Sequence, residues 1–125
     1  MDYIPYIIMA ALLYELLRRV IPMKGVKQIT TDQLQEDLRI KDNHKQYIDV
    51  RTPGEYHHAH IPGFQNIPLH QLKQQLNNLY QDQEVILICR SGSRSMRAAR
   101  ILKKNGYKHV TNVKGGMNTW RGPLN

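Results

Sequence analysis

The chain opens on a run from Tyr3 to Leu17, YIPYIIMAALLYELL, that is apolar on every face of a helix, with Ile4, Ile8 and Ala11 on one side and Met9, Leu13 and Leu17 on others. A surface helix carries one apolar stripe, so this segment predicts a helix covered all round, by lipid or by protein. Its 15 residues, at about 1.5 Å each, reach only about 22 Å against a hydrocarbon slab of roughly 30 Å. Glu15 can pair with Arg18 and Arg19, and snorkelling by those arginines would lengthen the span. No positive region precedes the run and no small-x-small cleavage site follows it, which argues against a secretory signal. The expectation is a membrane anchor. Arg18, Arg19, Lys24 and Lys27 then lie on its C-terminal side and hold the rest of the chain in the cytoplasm, at the inner face of the cell membrane. The alternative is a helix packed on the domain or on a second copy of it.

Pro22 and Gly25 break the helix and divide the chain into residues 1–22 and a domain of residues 23–125. Beyond them strands and helices alternate. VKQIT reads as a strand, and Thr30 with Gln33 forms a capping box that opens a helix through Leu38. QYIDVR is the next strand, ended by Thr52, Pro53 and Gly54. FQNIPL is extended, and the helix after it carries Leu69, Leu72, Leu76 and Leu79 at helical spacing as core. EVILIC is a continuous apolar run of the kind buried on both faces of a parallel sheet. The helix after Arg94 turns Met96, Ala99 and Ile101 or Leu102 inward and ends at Gly106. HVTNV is the last strand, and KGGMNTWRG a glycine-rich turn into a short helix. This alternation predicts an α/β domain whose parallel central sheet is covered by helices on both faces.

Composition narrows the partners. With 125 residues, 41% of them hydrophobic and 22% charged, the chain suits one folded domain with one core. A single cysteine excludes an internal disulfide and suits a reducing compartment. The net charge of +8 favours anionic partners. Nucleic acid is not expected among them, because no basic run is interleaved with aromatics and the seven tyrosines are scattered.

The cysteine sits where chemistry is expected. In open α/β sheets ligands bind at the carboxyl ends of strands, and Cys89 closes the most apolar strand in the chain. Arg90, Ser91, Gly92, Ser93, Arg94 and Ser95 follow it, small or basic residues that let the backbone curl and aim its N–H groups inward as an anion cradle. The helix N-terminus and nearby guanidinium groups favour thiolate over thiol, which makes Cys89 a candidate nucleophile. A strand-end cysteine can also be an inert small hydrophobe. Arg97, Arg100, Lys103 and Lys104 read as solvent-facing charge that adds to a basic rim. His57, His58 and His60 lack the cysteine or acidic companions of a metal site, and no metal is expected.

CRSGSRS resembles the active-site loop of single-domain rhodaneses, and the likeness extends through YIDVRTPGEYHHAHIPGFQNIPL to VKGGMNTW, from about Gly25 to Leu124. The resemblance implies a rhodanese-like three-layer fold and a sulfurtransferase that needs no cofactor. Cys89 would take sulfane sulfur as a persulfide from a small anionic donor (thiosulfate, a polysulfide or a protein persulfide) and pass it to a thiol or a cyanide-like acceptor. The backbone from Arg90 to Ser95 would hold the persulfide and the donor, Arg94 would close the loop, and Arg90 would attract the anion. Four residues separate Cys89 from Arg94, as in rhodaneses, whereas phosphatases with the related loop have five. Asp49, Arg51 and Glu55 look like a supporting set that fastens loops near the site. His60 is implied to be structural, Trp120 a core anchor, and Gly115 and Gly116 points of close backbone approach. Ala59 and Phe64 depart from the family pattern, which usually has glycine and alanine there. Two other readings stay open: a membrane-tethered sulfur-carrier or binding module with little turnover of its own, and phosphatase or arsenate-reductase chemistry on the same cradle.

Overall fold

Strand β1 (Val26–Ile29) starts a parallel five-stranded sheet completed by β2 (Lys45–Asp49), β3 (Gln65–Asn66), β4 (Glu84–Ile88) and β5 (Val110–Val113) in the order β1-β5-β4-β2-β3. The computed structural model describes residues 2–20 and 25–125. The helices are α1 (Ile4–Val20), α2 (Thr31–Arg39), α3 (Pro53–His58) and α4 (Ser93–Lys104), with 3-10 turns at Leu69–Asn78 and Gly116–Asn118.

β4 lies between β2 and β5, pairing Tyr47 with Ile86 on one side and Ile86 with Thr111 on the other. Val85 to Ile88 are buried, alternately in the cores on the two faces of the sheet, which is why that stretch is apolar. Alternation along the strand sends Val85, Leu87 and Cys89 into one core with Ile48, Ala98, Ala99 and Leu102, under α4 and the Leu69–Asn78 turns. Ile86 and Ile88 enter a second core with Leu34 of α2, Ile61, Phe64 and Val113. The result is the three-layer α/β arrangement expected from the strand-helix alternation.

Local chemistry sets the element ends. Thr30 and Gln33 cap α2 reciprocally, as predicted. α4 closes in a Schellman arrangement: Gly106, at φ 90°, donates its N–H to Lys103 O while Tyr107 donates to Leu102 O. Two elements differ from expectation. The leucine segment winds as successive 3-10 turns, with Leu72 and Leu79 buried and Leu69 and Leu76 packed against the core; a spacing of three and four residues serves either winding. α3 was not anticipated, although Thr52 and Glu55 form a second capping box around Pro53 at the first helical position.

The N-terminal segment is helical. No helix among the described residues is long and apolar enough to cross a membrane, and the 17 residues of α1 extend about 25 Å, so the spanning anchor and the contact through residues 1–22 are not supported. Nor does α1 pack on the domain: from Tyr3 to Leu17 its large apolar side chains are 45–66% exposed. Arg18 does pair with Glu15, at 3.0 Å. Pro22, the boundary at 22/23, Lys24 and the side chain of Arg19 lie outside the described residues.

Candidate active site

Cys89 follows β4 directly, and the loop after it turns on Gly92, whose φ of 108° places it in the left-handed region at the N-cap of α4. The turn brings the Gly92 N–H to 3.0 Å from Cys89 Sγ. Ser93, Arg94 and Ser95 form the first turn of α4, where backbone N–H groups lack intrahelical acceptors, and Met96 is the first to close on Gly92 O. A second group reaches the sulfur from inside the protein: Ser95 Oγ lies 3.3 Å from Sγ and 3.0 Å from Gly92 O. The Ser95 hydroxyl also donates to Asn112 Oδ1, and Asn112 Nδ2 donates to Gln28 Oε1 at 2.9 Å. Ser95 and Asn112 are buried, so a polar chain runs from β1 through β5 to the cysteine.

Neither Asn112 nor Gln28 was singled out from the sequence. Each stands on a short strand beside another polar residue, Lys27 or Thr111, and no motif joins them to a loop so distant in the chain.

The loop is held from the opposite side by the glycine-rich turn. Met117 N–H donates to Cys89 O at 2.8 Å and Asn118 N–H to Arg90 O at 2.9 Å. A Cβ on Gly116 would fall 2.2 Å from Cys89 O, so only glycine allows this approach, as expected for that position. Trp120 is half-buried against the second core.

Arg94 and Arg90 differ in kind. The Arg94 guanidinium grips both oxygens of Glu55, at 2.6 and 2.9 Å, and so ties the start of α4 to the start of α3. Hydrogen bonding to Arg94 lowers the Glu55 carboxyl from 4.5 to about 2, and the same bond raises Arg94. Much of the Arg94 charge is thereby met within the protein. Arg90, Ser91 and Ser93 stand exposed at the rim.

Asp49 and Arg51 form a separate clasp rather than one set with Glu55. Arg51 Nη2 donates to Asp49 Oδ2 at 2.8 Å and to Ala59 O at 2.7 Å, fastening the end of β2 to the end of α3. Both residues are buried, where such a pair requires close geometry on every charged group. Ala59 is extended at φ −164°, backbone that any residue adopts, and Phe64 is buried with its ring 5.3 Å from Tyr47; neither departure touches the cysteine loop. His60 stacks on Tyr56 at 3.8 Å, while His57 and His58 are exposed.

Cys89 is 0% exposed and lies beneath its own loop. An inert core cysteine would have apolar neighbours on all sides. Here the Gly92 N–H donates to the sulfur and the Ser95 hydroxyl lies within hydrogen-bond reach of it.

Comparisons with known proteins place the sequence and the fold in a family. A family model described as Rhodanese-like domain matches residues 30–122. The uncharacterized protein YqhL of Bacillus subtilis is 40% identical over 123 residues, 98% of this chain and 95% of that protein. The thiosulfate sulfurtransferase PspE of Escherichia coli is 38% identical over 71 residues, 55% of this chain and 68% of that protein. The crystal structure of a rhodanese-like domain protein from Staphylococcus aureus superposes with a TM-score of 0.71 at 34% identity, covering 76% of this chain and 91% of that one. Sheet order, cysteine loop and sequence likeness converge, and the chain belongs to the rhodanese-like domain family.

Proposed function

We propose that the protein is a sulfurtransferase that carries sulfane sulfur on Cys89. The observation that carries this reading is the pair of hydrogen-bonding groups on Sγ, the Gly92 N–H and the Ser95 hydroxyl, at the carboxyl end of a buried parallel strand. Kinship with PspE, named a thiosulfate sulfurtransferase, supports the same chemistry.

In the first step the Cys89 thiolate attacks the outer sulfur of thiosulfate. A new S–S bond forms on Cys89, the bond to the sulfonate sulfur breaks, and sulfite leaves with the electron pair. In the second step a thiolate or cyanide attacks the terminal sulfur and Cys89 departs as thiolate. Each step is an exchange at sulfur that depends on thiolate character and leaving group, so no general base is needed. Arg90 at the rim draws the anion in, the loop amides receive it, and Arg94 holds the loop closed through Glu55. Asp49 and Arg51 keep the neighbouring turn in place.

The covered sulfur favours one alternative, a sulfur carrier with little turnover of its own. Steady-state thiocyanate formation from thiosulfate and cyanide separates the two. Turnover that disappears in Cys89→Ala marks the enzyme, while stoichiometric loading without turnover marks the carrier. Intact mass after thiosulfate treatment tests the chemistry common to both: one added sulfur is expected in the parent and none in Cys89→Ser. Equal masses would remove the persulfide reading.

A further inference from the structure

α4 and the Leu69–Asn78 turns pack side by side on the same core, and a groove follows their seam in two adjoining stretches of about 500 Å³ each. Lys73, Arg97 and Ile101 line both stretches. The floor is apolar, formed by the partly buried Leu69, Leu76 and Ile101. The walls are basic: Lys73 faces Arg97, Arg100 and Lys104. Neither of the two elements contains an aspartate or glutamate. Among the described residues the ion pairs are confined to other cations, and of this face only Arg94, at the end nearest the cysteine loop, has a carboxylate partner. The acids lie elsewhere, with Asp32, Glu36 and Asp37 on α2 in the opposite layer.

The extent of this charge decides what it suits. Arg97, Arg100 and Lys104 recur three and four residues apart along one side of α4, where like charges oppose one another. From Arg94 to Lys104 the helix rises about 15 Å, several times the size of a thiosulfate ion. A small donor uses one end of such a field and leaves the rest without effect. An extended polyanion uses all of it. The groove lining has no phenylalanine, tyrosine or tryptophan on which a run of bases could stack, His70 being its one ring, and its recessed floor of leucine and isoleucine accepts apolar side chains. Acidic and apolar side chains interleaved along one strand of chain describe a polypeptide.

We propose that this groove docks an acidic segment of a protein whose cysteine exchanges sulfur with Cys89. The inference rests on the sulfur-transfer reading and names its partner class. In the step it serves, the partner's thiolate attacks the terminal sulfur of the Cys89 persulfide; the bond between the two sulfurs on Cys89 breaks, one forms on the partner, and Cys89 leaves as thiolate without net oxidation.

The test uses the full chain loaded from thiosulfate and three synthetic acceptors: a peptide with one cysteine flanked by alternating glutamate and leucine, and the same peptide with glutamine or with lysine for glutamate. Charge complementarity acts mainly through encounter, so the glutamate peptide is expected to show a kcat/KM about 10- to 100-fold above the glutamine peptide at low salt, a gap that closes as salt rises. Arg97→Glu with Arg100→Glu is expected to abolish the gap while transfer to cyanide is unchanged, and Arg97→Gln with Arg100→Gln to narrow it, which guards against misfolding of the reversed pair. Equal use of all three peptides, or a preference that survives charge reversal, overturns the docking assignment. Tighter binding of duplex DNA or phosphatidylglycerol vesicles through the same cations overturns it as well. Failure of the parent to transfer sulfur even to cyanide, with no sulfur added in the mass measurement, sinks the underlying chemistry instead.

Discussion

Ser95 has one hydroxyl proton and three acceptors around it: Asn112 Oδ1, Gly92 O and Cys89 Sγ. Gln28 fixes the orientation of the Asn112 amide, so the proton rests towards Asn112 until the sulfur becomes the stronger acceptor. A hydrogen bond to a charged group contributes about 1.5–3 kcal/mol. Ser95→Ala is therefore expected to slow sulfur loading by about 10- to 100-fold, measured as single-turnover mass gain from thiosulfate. An unchanged rate would confine Ser95 to packing. Cys89 and its loop could be picked out of the sequence because the motif is contiguous. The polar chain behind it could not, because Asn112 and Gln28 lie 84 residues apart and meet only through β1–β5 pairing.

Two short elements, α3 and the start of α4, are joined by the Glu55–Arg94 pair. The folded-state carboxyl at about 2, against an ordinary 4.5, contributes stability that is fully present above the unfolded value and is lost as pH falls through the folded one. Glu55→Gln is expected to destabilise the protein by about 1 kcal/mol near neutral pH, as befits a part-exposed pair. That deficit should close as pH falls from 4.5 towards 2, seen by denaturant unfolding of both proteins across the range. A constant deficit would mean that the ionised carboxylate of Glu55 is not what joins the two elements. Legibility varied among elements for physical reasons. β4 and α4 were plain because burial on both faces, or on one, writes a distinct period. α3 carries, in Thr52 and Glu55, the same kind of capping-box signal as Thr30 and Gln33, but Gly54 beside Pro53 suggests a simple turn. The surroundings of α1 were read from hydropathy alone, and hydropathy records what a side chain avoids rather than what covers it.

At the scale of the layers, charge is uneven: α4 carries cations and no acid, while α2 in the opposite layer carries Asp32, Glu36 and Asp37 with Arg39. The domain therefore presents one preferred side to an approaching anion before any contact is made. The sulfur itself is reached last, because it lies beneath its own loop with no surface of its own. A persulfide formed there would be stowed cargo, held away from the thiols that strip exposed persulfides. Its release would be timed by how often the rim at Arg90 to Ser93 parts, so raising the concentration of a reductant such as dithiothreitol should hasten unloading only up to a ceiling. Under the proposed chemistry, a chain built this way would keep its load between one encounter and the next and give it up to the partner that opens the rim.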